Sequence, residues 1–157
     1  MQLVRPGADD VDDLTELWLS LADGQRHFGS HLLVEENREQ IRRSFLEHVV
    51  TGGVWGVRDD EEWIGFVTFA PEHGRFEQDV DPGVVHNLYV DPAYRGRGVG
   101  SALLERTERQ LADGGADAIR LEAMATNTDA RPFYETRGYQ PHRVTYEKRL
   151  DSDDDVE

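Results

Sequence analysis

The segment Asp91-Pro92-Ala93-Tyr94-Arg95-Gly96-Arg97-Gly98-Val99-Gly100-Ser101 carries the densest chemical signal in the chain. It leaves an apolar run, Val84 to Val90, and enters a second run with helical spacing. Its alternating glycines let the backbone approach a ligand closely and turn N–H groups inward. At a helix N-terminus the unpaired donors and the helix dipole favour an anion, and phosphate fits best. Arg95 and Arg97 add positive charge to a chain whose formal net charge is −15. This spacing predicts a diphosphate-binding loop.

Two nucleotide-site patterns compete poorly for it. A phosphate loop of the NTPase type needs Gly-Lys-Ser/Thr, and no lysine stands here. The dinucleotide fingerprint needs G-x-G-x-x-G directly after its strand, whereas Gly96, Gly98 and Gly100 give G-x-G-x-G after an intervening turn. Glu122 lies near the distance of a ribose-binding carboxylate, which keeps a nicotinamide-dependent oxidoreductase as an alternative. Arg-x-x-Gly-x-Gly from Arg95 to Gly100 resembles the signature of the GNAT N-acetyltransferase superfamily without a mismatch. The likeness extends upstream through Leu88-Tyr89-Val90-Asp91-Pro92-Ala93-Tyr94 and downstream through Ser101-Ala102-Leu103-Leu104. A second stretch also resembles the family: Leu121-Glu122-Ala123-Met124-Ala125-Thr126-Asn127, then Ala130, Phe133-Tyr134-Glu135 and Arg137-Gly138-Tyr139. In motif the chain is most similar to acetyltransferases of ribosomal proteins and other protein N-termini.

The resemblance implies binding of acetyl-coenzyme A as co-substrate, no metal, and direct attack of a primary amine on the thioester in a ternary complex. Such a transfer needs a neutral amine, a stabilised tetrahedral oxyanion and a leaving thiolate. A thiol has a pKa of about 8.5, so a positioned acid assists its departure. By resemblance Tyr134 is that acid, against a plain reading as a phenol on the buried face of a short helix. Asn127 is implied to contact the cofactor arm, and its place before Thr128 also suits a helix N-cap. Glu122 is implied to accept the amine's proton. Strand alternation would put it on one face with Arg120 and Met124, where a salt bridge to Arg120 is the plainer reading. Leu88, Tyr89 and Val90 are implied to hold the pantetheine arm through a bulged backbone, while Arg95, Gly96, Arg97, Gly98, Val99, Gly100 and Ser101 cradle the diphosphate. A non-catalytic module that binds coenzyme A or a partner without turnover is the alternative from another class.

The histidines add less. His27 and His31 are four apart, a metal spacing only if helical, and they bracket Gly29 in an expected loop. His86 enters the same strand as Leu88 and reads as a second candidate base or a core histidine.

These residues need a scaffold. Gln2 to Arg5 reads as a strand. Asp9 or Asp10 caps a helix whose face is Val11, Leu14, Leu17, Trp18 and Leu21, followed by a loop from Ala22 to His31. Val34, Ile41, Phe45 and Val49 mark a second helix ending at Gly52-Gly53. Val54 to Arg58 and Trp63 to Ala70 form a hairpin, and 71 to 83 a polar loop. Val84 to Val90 is a strand, Val99 to Asp113 a helix and Ala118 to Ala125 a strand. Thr128 to Arg137 is a short helix, and a last strand runs from about Arg143 to Leu150. The expected fold is α/β: a GNAT fold with a mixed, mostly antiparallel sheet of six to seven strands flanked by about four helices. Residues 1 to 150 are expected as a single domain, with 151 to 157 an acidic tail.

Composition bounds the rest. The chain has 157 residues, 38% of them hydrophobic, which suits one core. No apolar run approaches the roughly 20 residues of a membrane span, and Met1 to Pro6 lacks a signal-like stretch. A cytoplasmic location is expected. Cysteine is absent, which excludes disulfides, thiolate metal sites and a cysteine nucleophile. Asp plus Glu total 32 against 17 Lys plus Arg, and Lys148 is the only lysine. So negative a field disfavours nucleic acid and anionic lipid as partners. Acidic residues spread along the whole chain predict adaptation to a salt-filled cytoplasm, against the plainer reading of an ordinary acidic protein with an acidic tail, Asp151 to Glu157. The expected partner is an amine acceptor, and the state monomer or homodimer.

Overall fold

A computed structural model describes residues 1 to 150. The expected acidic tail lies outside the described residues. The elements are β1 (Gln2–Val4), α1 (Val11–His27), α2 (Arg38–Thr51), β2 (Val54–Asp59), β3 (Glu62–Pro71), β4 (Pro82–Val90), α3 (Val99–Asp113), β5 (Ala118–Leu121) and α4 (Ala130–Glu135). The sheet runs β1-β2-β3-β4-β5, antiparallel through β4, with β5 parallel to β4. A parallel neighbour needs a crossover, and α3 supplies it. No helix of the described residues is long and apolar enough to cross a membrane.

The described chain forms two compact units, Met1 to Thr126 and a second beginning at Asn127. In the first unit β3 is buried along most of its length, as a strand covered on both faces must be. Val11, Leu14, Trp18, Leu19 and Ala22 of α1 and Phe45 of α2 pack with Val54, Trp63, Phe66 and Tyr89. Phe66 meets Phe45 edge to face at 5.2 Å. Phe66 is fully buried, and its truncation to Ala would cost about 3–5 kcal/mol. The neighbouring Gly65 faces the other way, where a Cβ would lie 3.4 Å from Val99 and 3.5 Å from Leu103 of α3. A Cβ on Gly83 would sit 2.7 Å from Leu111. Small residues on that face let α3 lie close to the sheet. The second unit is built around α4, with Arg137 stacked over the Phe133 ring at 3.8 Å.

Four expectations change. α1 continues through His27, because Ala22 is buried and Gly24, with open space around it, costs the helix only about 1 kcal/mol. Arg26 and His27 end it favourably against the helix dipole. β5 stops at Leu121 rather than Ala125, since its ladder with β4 ends at Val85↔Leu121. Alternation therefore does not carry Glu122 and Met124 onto a strand face with Arg120. Residues 140 to 150 form no strand and are exposed, Val144 and Tyr146 at 66% and 92%, because alternation without a paired edge or buried face makes no ladder. The sheet accordingly has five strands among the described residues, not six or seven.

Candidate functional site

The glycine loop begins at the end of β4. Asp91 accepts a hydrogen bond from the Ala93 amide at 2.9 Å, and Pro92 to Tyr94 make one 3₁₀ turn. Tyr94 reaches across to the β2–β3 hairpin, where its hydroxyl donates to an Asp59 carboxylate oxygen at 2.9 Å. That carboxylate pushes the Tyr94 phenol pKa up, with burial contributing second. Arg97 stacks over the Tyr94 ring at 5.2 Å. The Arg95 Nε donates to the Val90 carbonyl at 3.0 Å, holding its side chain along the strand end while it stays exposed.

Gly96 and Gly98 then adopt φ of 79° and 83°, the left-handed region that a side chain resists. A Cβ at either would meet nothing within 4 Å, so packing does not require glycine here and the space above the loop is open. Val99, Gly100 and Ser101 form the first turn of α3, and the Ala102 amide donates to the Gly98 carbonyl at 3.0 Å. The Val99 side chain is buried, leaving its backbone as its contribution to a site. No acidic side chain stands in that first turn. An open, carboxylate-free helix start flanked by two exposed arginines fits a diphosphate.

Beside the loop, β4 lies half free. Its pairing with β3 runs from Gly65↔Val90 to Thr68↔Asn87 and resumes at Phe69↔Val85, which makes His86 the extra residue of a β-bulge. Its pairing with β5 covers only Pro82 to Val85. From His86 onward, no strand of the described residues pairs with the second edge of β4. The Asp91 amide donates to Ile64 at 2.8 Å, so alternation turns the backbone of Leu88 and Val90 to the open edge and that of Tyr89 toward β3. The Val90 carbonyl on that edge is the one Arg95 holds. The Tyr89 side chain is buried against Phe66, and burial raises its pKa.

Glu122 is exposed, one residue past the end of β5. Arg120 turns elsewhere, to Glu72 at 3.3 Å and Gln78 at 2.9 Å. His86 is exposed and meets His48 of α2 edge to face at 5.5 Å. His48 is anchored by its Nδ1, which donates to the Ser44 carbonyl at 2.8 Å. The α1–α2 connection closes on the segment after β5, the Thr126 hydroxyl donating to the Phe28 carbonyl at 2.7 Å.

In the second unit the Asn127 side-chain oxygen accepts from the Ala130 amide at 3.0 Å and the Asp129 amide at 3.3 Å. These bonds turn the chain into α4, whose cap residue is Asp129 rather than Asn127. Tyr134 is half-buried between Phe133 and Tyr139, with ring centroids 5.4 and 5.9 Å away. Burial alone raises its pKa, which keeps the phenol protonated and able to donate.

Sequence reasoning missed the Tyr94–Asp59 latch and the His48–His86 contact. Each joins residues more than thirty positions apart with no periodic pattern between them.

The Acetyltransferase (GNAT) family model matches residues 13–139. A mycothiol acetyltransferase of Rothia mucilaginosa is 32% identical over 152 residues, covering 91% of this chain and 41% of that protein. The chain thus spans about two fifths of that relative's length. A [ribosomal protein bS18]-alanine N-acetyltransferase of Escherichia coli is 37% identical over 60 residues, 38% of this chain and 40% of that one. Among solved structures, the PaiA N-acetyltransferase of Thermoplasma acidophilum in complex with coenzyme A superposes with a TM-score of 0.75 at 19% identity, over 92% of each chain. The profile match covers both resembling segments together with most of the scaffold, and the chain belongs to the acetyltransferase (GNAT) family.

Proposed function

We propose that this protein transfers the acetyl group of acetyl-coenzyme A to a primary amine. The observation that carries the reading is the pair of left-handed glycines opening α3 beside the unpaired edge of β4. The first suits a diphosphate, and the second offers the Leu88 backbone to an amide-bearing arm. The amine attacks the thioester carbon, the C–N bond forms and the C–S bond breaks. Tyr134, held protonated by burial, gives its proton to the departing sulfur. The amine's own proton passes to a base at the β4–β5 opening, where Glu122 and His86 are the candidates.

The test has two arms. Calorimetry with coenzyme A should show binding that Gly98→Glu removes, because the new side chain puts a negative charge into the open space over the loop. A panel of amines (N-terminal peptides, lysine, polyamines, amino acids) with acetyl-coenzyme A should release free thiol for at least one acceptor. Unchanged affinity in the Gly98→Glu protein would sink the binding assignment. Binding without thiol release from any amine would favour a non-catalytic module.

A further inference from the structure

Building on the acetyl-transfer reading, we propose that His86 is the base that takes the acceptor amine's proton and that His48 is its positioning residue. His86 is where two ladders fail together. It is the bulged residue opposite no position of β3, and it directly follows Val85, the last residue of β4 paired with β5. Bulges re-aim side chains, and this one leaves an imidazole exposed at the mouth of the open edge. Leu88, whose backbone turns to that edge, lies two residues on, about 7 Å along the strand. That span is within reach of a base acting directly or through one water.

The ring's neighbours suit the task. His48 meets it edge to face from α2, and the bond from His48 Nδ1 to Ser44 fixes that ring's orientation. Partial burial lowers the His86 pKa, His48 lowers it further, and Glu72, one residue past β3, acts in the opposite sense. Glu72 is itself paired with Arg120 of β5. These surroundings favour the neutral imidazole, the form that accepts a proton. The balance closes simply. The ammonium gives its first proton to His86, which returns it to solvent. The neutral amine then displaces the thiolate, and the second N–H proton, lost as the amide forms, offsets the proton given to the departing sulfur. Glu122, outside the strand and exposed, is the rival that the experiment separates.

The full chain is assayed with acetyl-coenzyme A and the fastest amine of the panel. His86→Gln should keep coenzyme A affinity, lower kcat by about 10²- to 10⁴-fold and abolish the acidic limb of kcat/KM. His48→Gln should move that limb to higher pH, since His48 is one of the groups that hold the His86 pKa down, whereas a merely structural His48 would leave the limb in place. Glu122→Gln should retain the limb. Independently of any variant's folding, histidine-ring NMR of the unmodified protein should show the His86 resonance displaced by coenzyme A. A limb that survives in His86→Gln, or that vanishes only in Glu122→Gln, overturns the proposal, as does a His86 resonance indifferent to coenzyme A. If the unmodified protein neither binds coenzyme A nor releases thiol, it is the acetyl-transfer reading that fails, and this one falls with it.

Discussion

Tyr134 illustrates how one residue's surroundings set its chemistry. A phenol ordinarily titrates near 10.0, and burial between Phe133 and Tyr139 pushes this one higher. An acid of that kind is fully protonated across any assay between pH 6 and 9, so it contributes no limb there. Tyr134→Phe removes one hydroxyl and little volume. It should leave coenzyme A affinity intact and lower kcat by about 10²- to 10⁴-fold at every pH in that range. Steady-state kinetics with calorimetry on the same variant check this, and an unchanged kcat would mean that the sulfur leaves unassisted. The same shift has a stability consequence. A group whose pKa is raised on folding binds its proton more tightly folded than unfolded. Stability from Tyr134, and likewise from Tyr89, is therefore complete below about pH 10 and declines as pH rises through the raised values. Alkaline unfolding should set in at higher pH in Tyr134→Phe than in the parent, as circular dichroism along a pH series would show.

At the scale of elements, legibility followed the strength of local signals. The bounds of α3 agree with the sequence reading, because Gly98 at one end and Gly114-Gly115 at the other punctuate a clean apolar stripe. α1 was underestimated because a stretch rich in Gly, Ser and His, Ala22 to His31, reads as a loop. β5 and the supposed strand after Arg143 were overestimated because alternation says nothing about whether a partner edge exists. The glycine loop was legible residue by residue, since its demands are local ones of backbone conformation and charge. The bulge at His86 was not, because a bulge is a property of pairing. Nor was the latch that joins the glycine loop to the β2–β3 hairpin, Tyr94 to Asp59. That latch orders the 3₁₀ turn directly ahead of Arg95 to Gly98. Tyr94→Phe and Asp59→Asn should each weaken coenzyme A binding by roughly three- to tenfold through lost preorganisation, with the double variant no worse than either single. Additive losses in calorimetry would show that the two residues act separately.

The whole molecule is governed by its charge. A formal net charge of −15 with one lysine opposes the compact state through self-repulsion. The surface offers some local relief. Arg38 pairs with Glu16 and Glu35, and Arg42 with Asp12 at 2.8 Å, tying α2 to the acidic start of α1. Salt acts on these two terms in opposite directions, weakening the pairs and screening the repulsion. These pairs are solvent-exposed, and exposed ion pairs contribute little, so the repulsion should win. Raising potassium chloride from 0.1 M to 1 M shortens the Debye length from about 10 Å to about 3 Å, below most distances between surface carboxylates. The melting temperature is therefore expected to climb through that range and beyond it. Chloride is the right anion for this measurement, because sulfate stabilises proteins of any charge by exclusion from their surface. Replacing the acidic residues of 151–157 by Asn and Gln supplies the control, since it lowers the net charge without touching the described fold. The variant should melt higher than the parent at 0.1 M and converge with it at high salt. Parallel curves for the two proteins would mean that salt acts on something other than this charge, and a flat curve for the parent would end the reading of the acidic surface as an adaptation to salt.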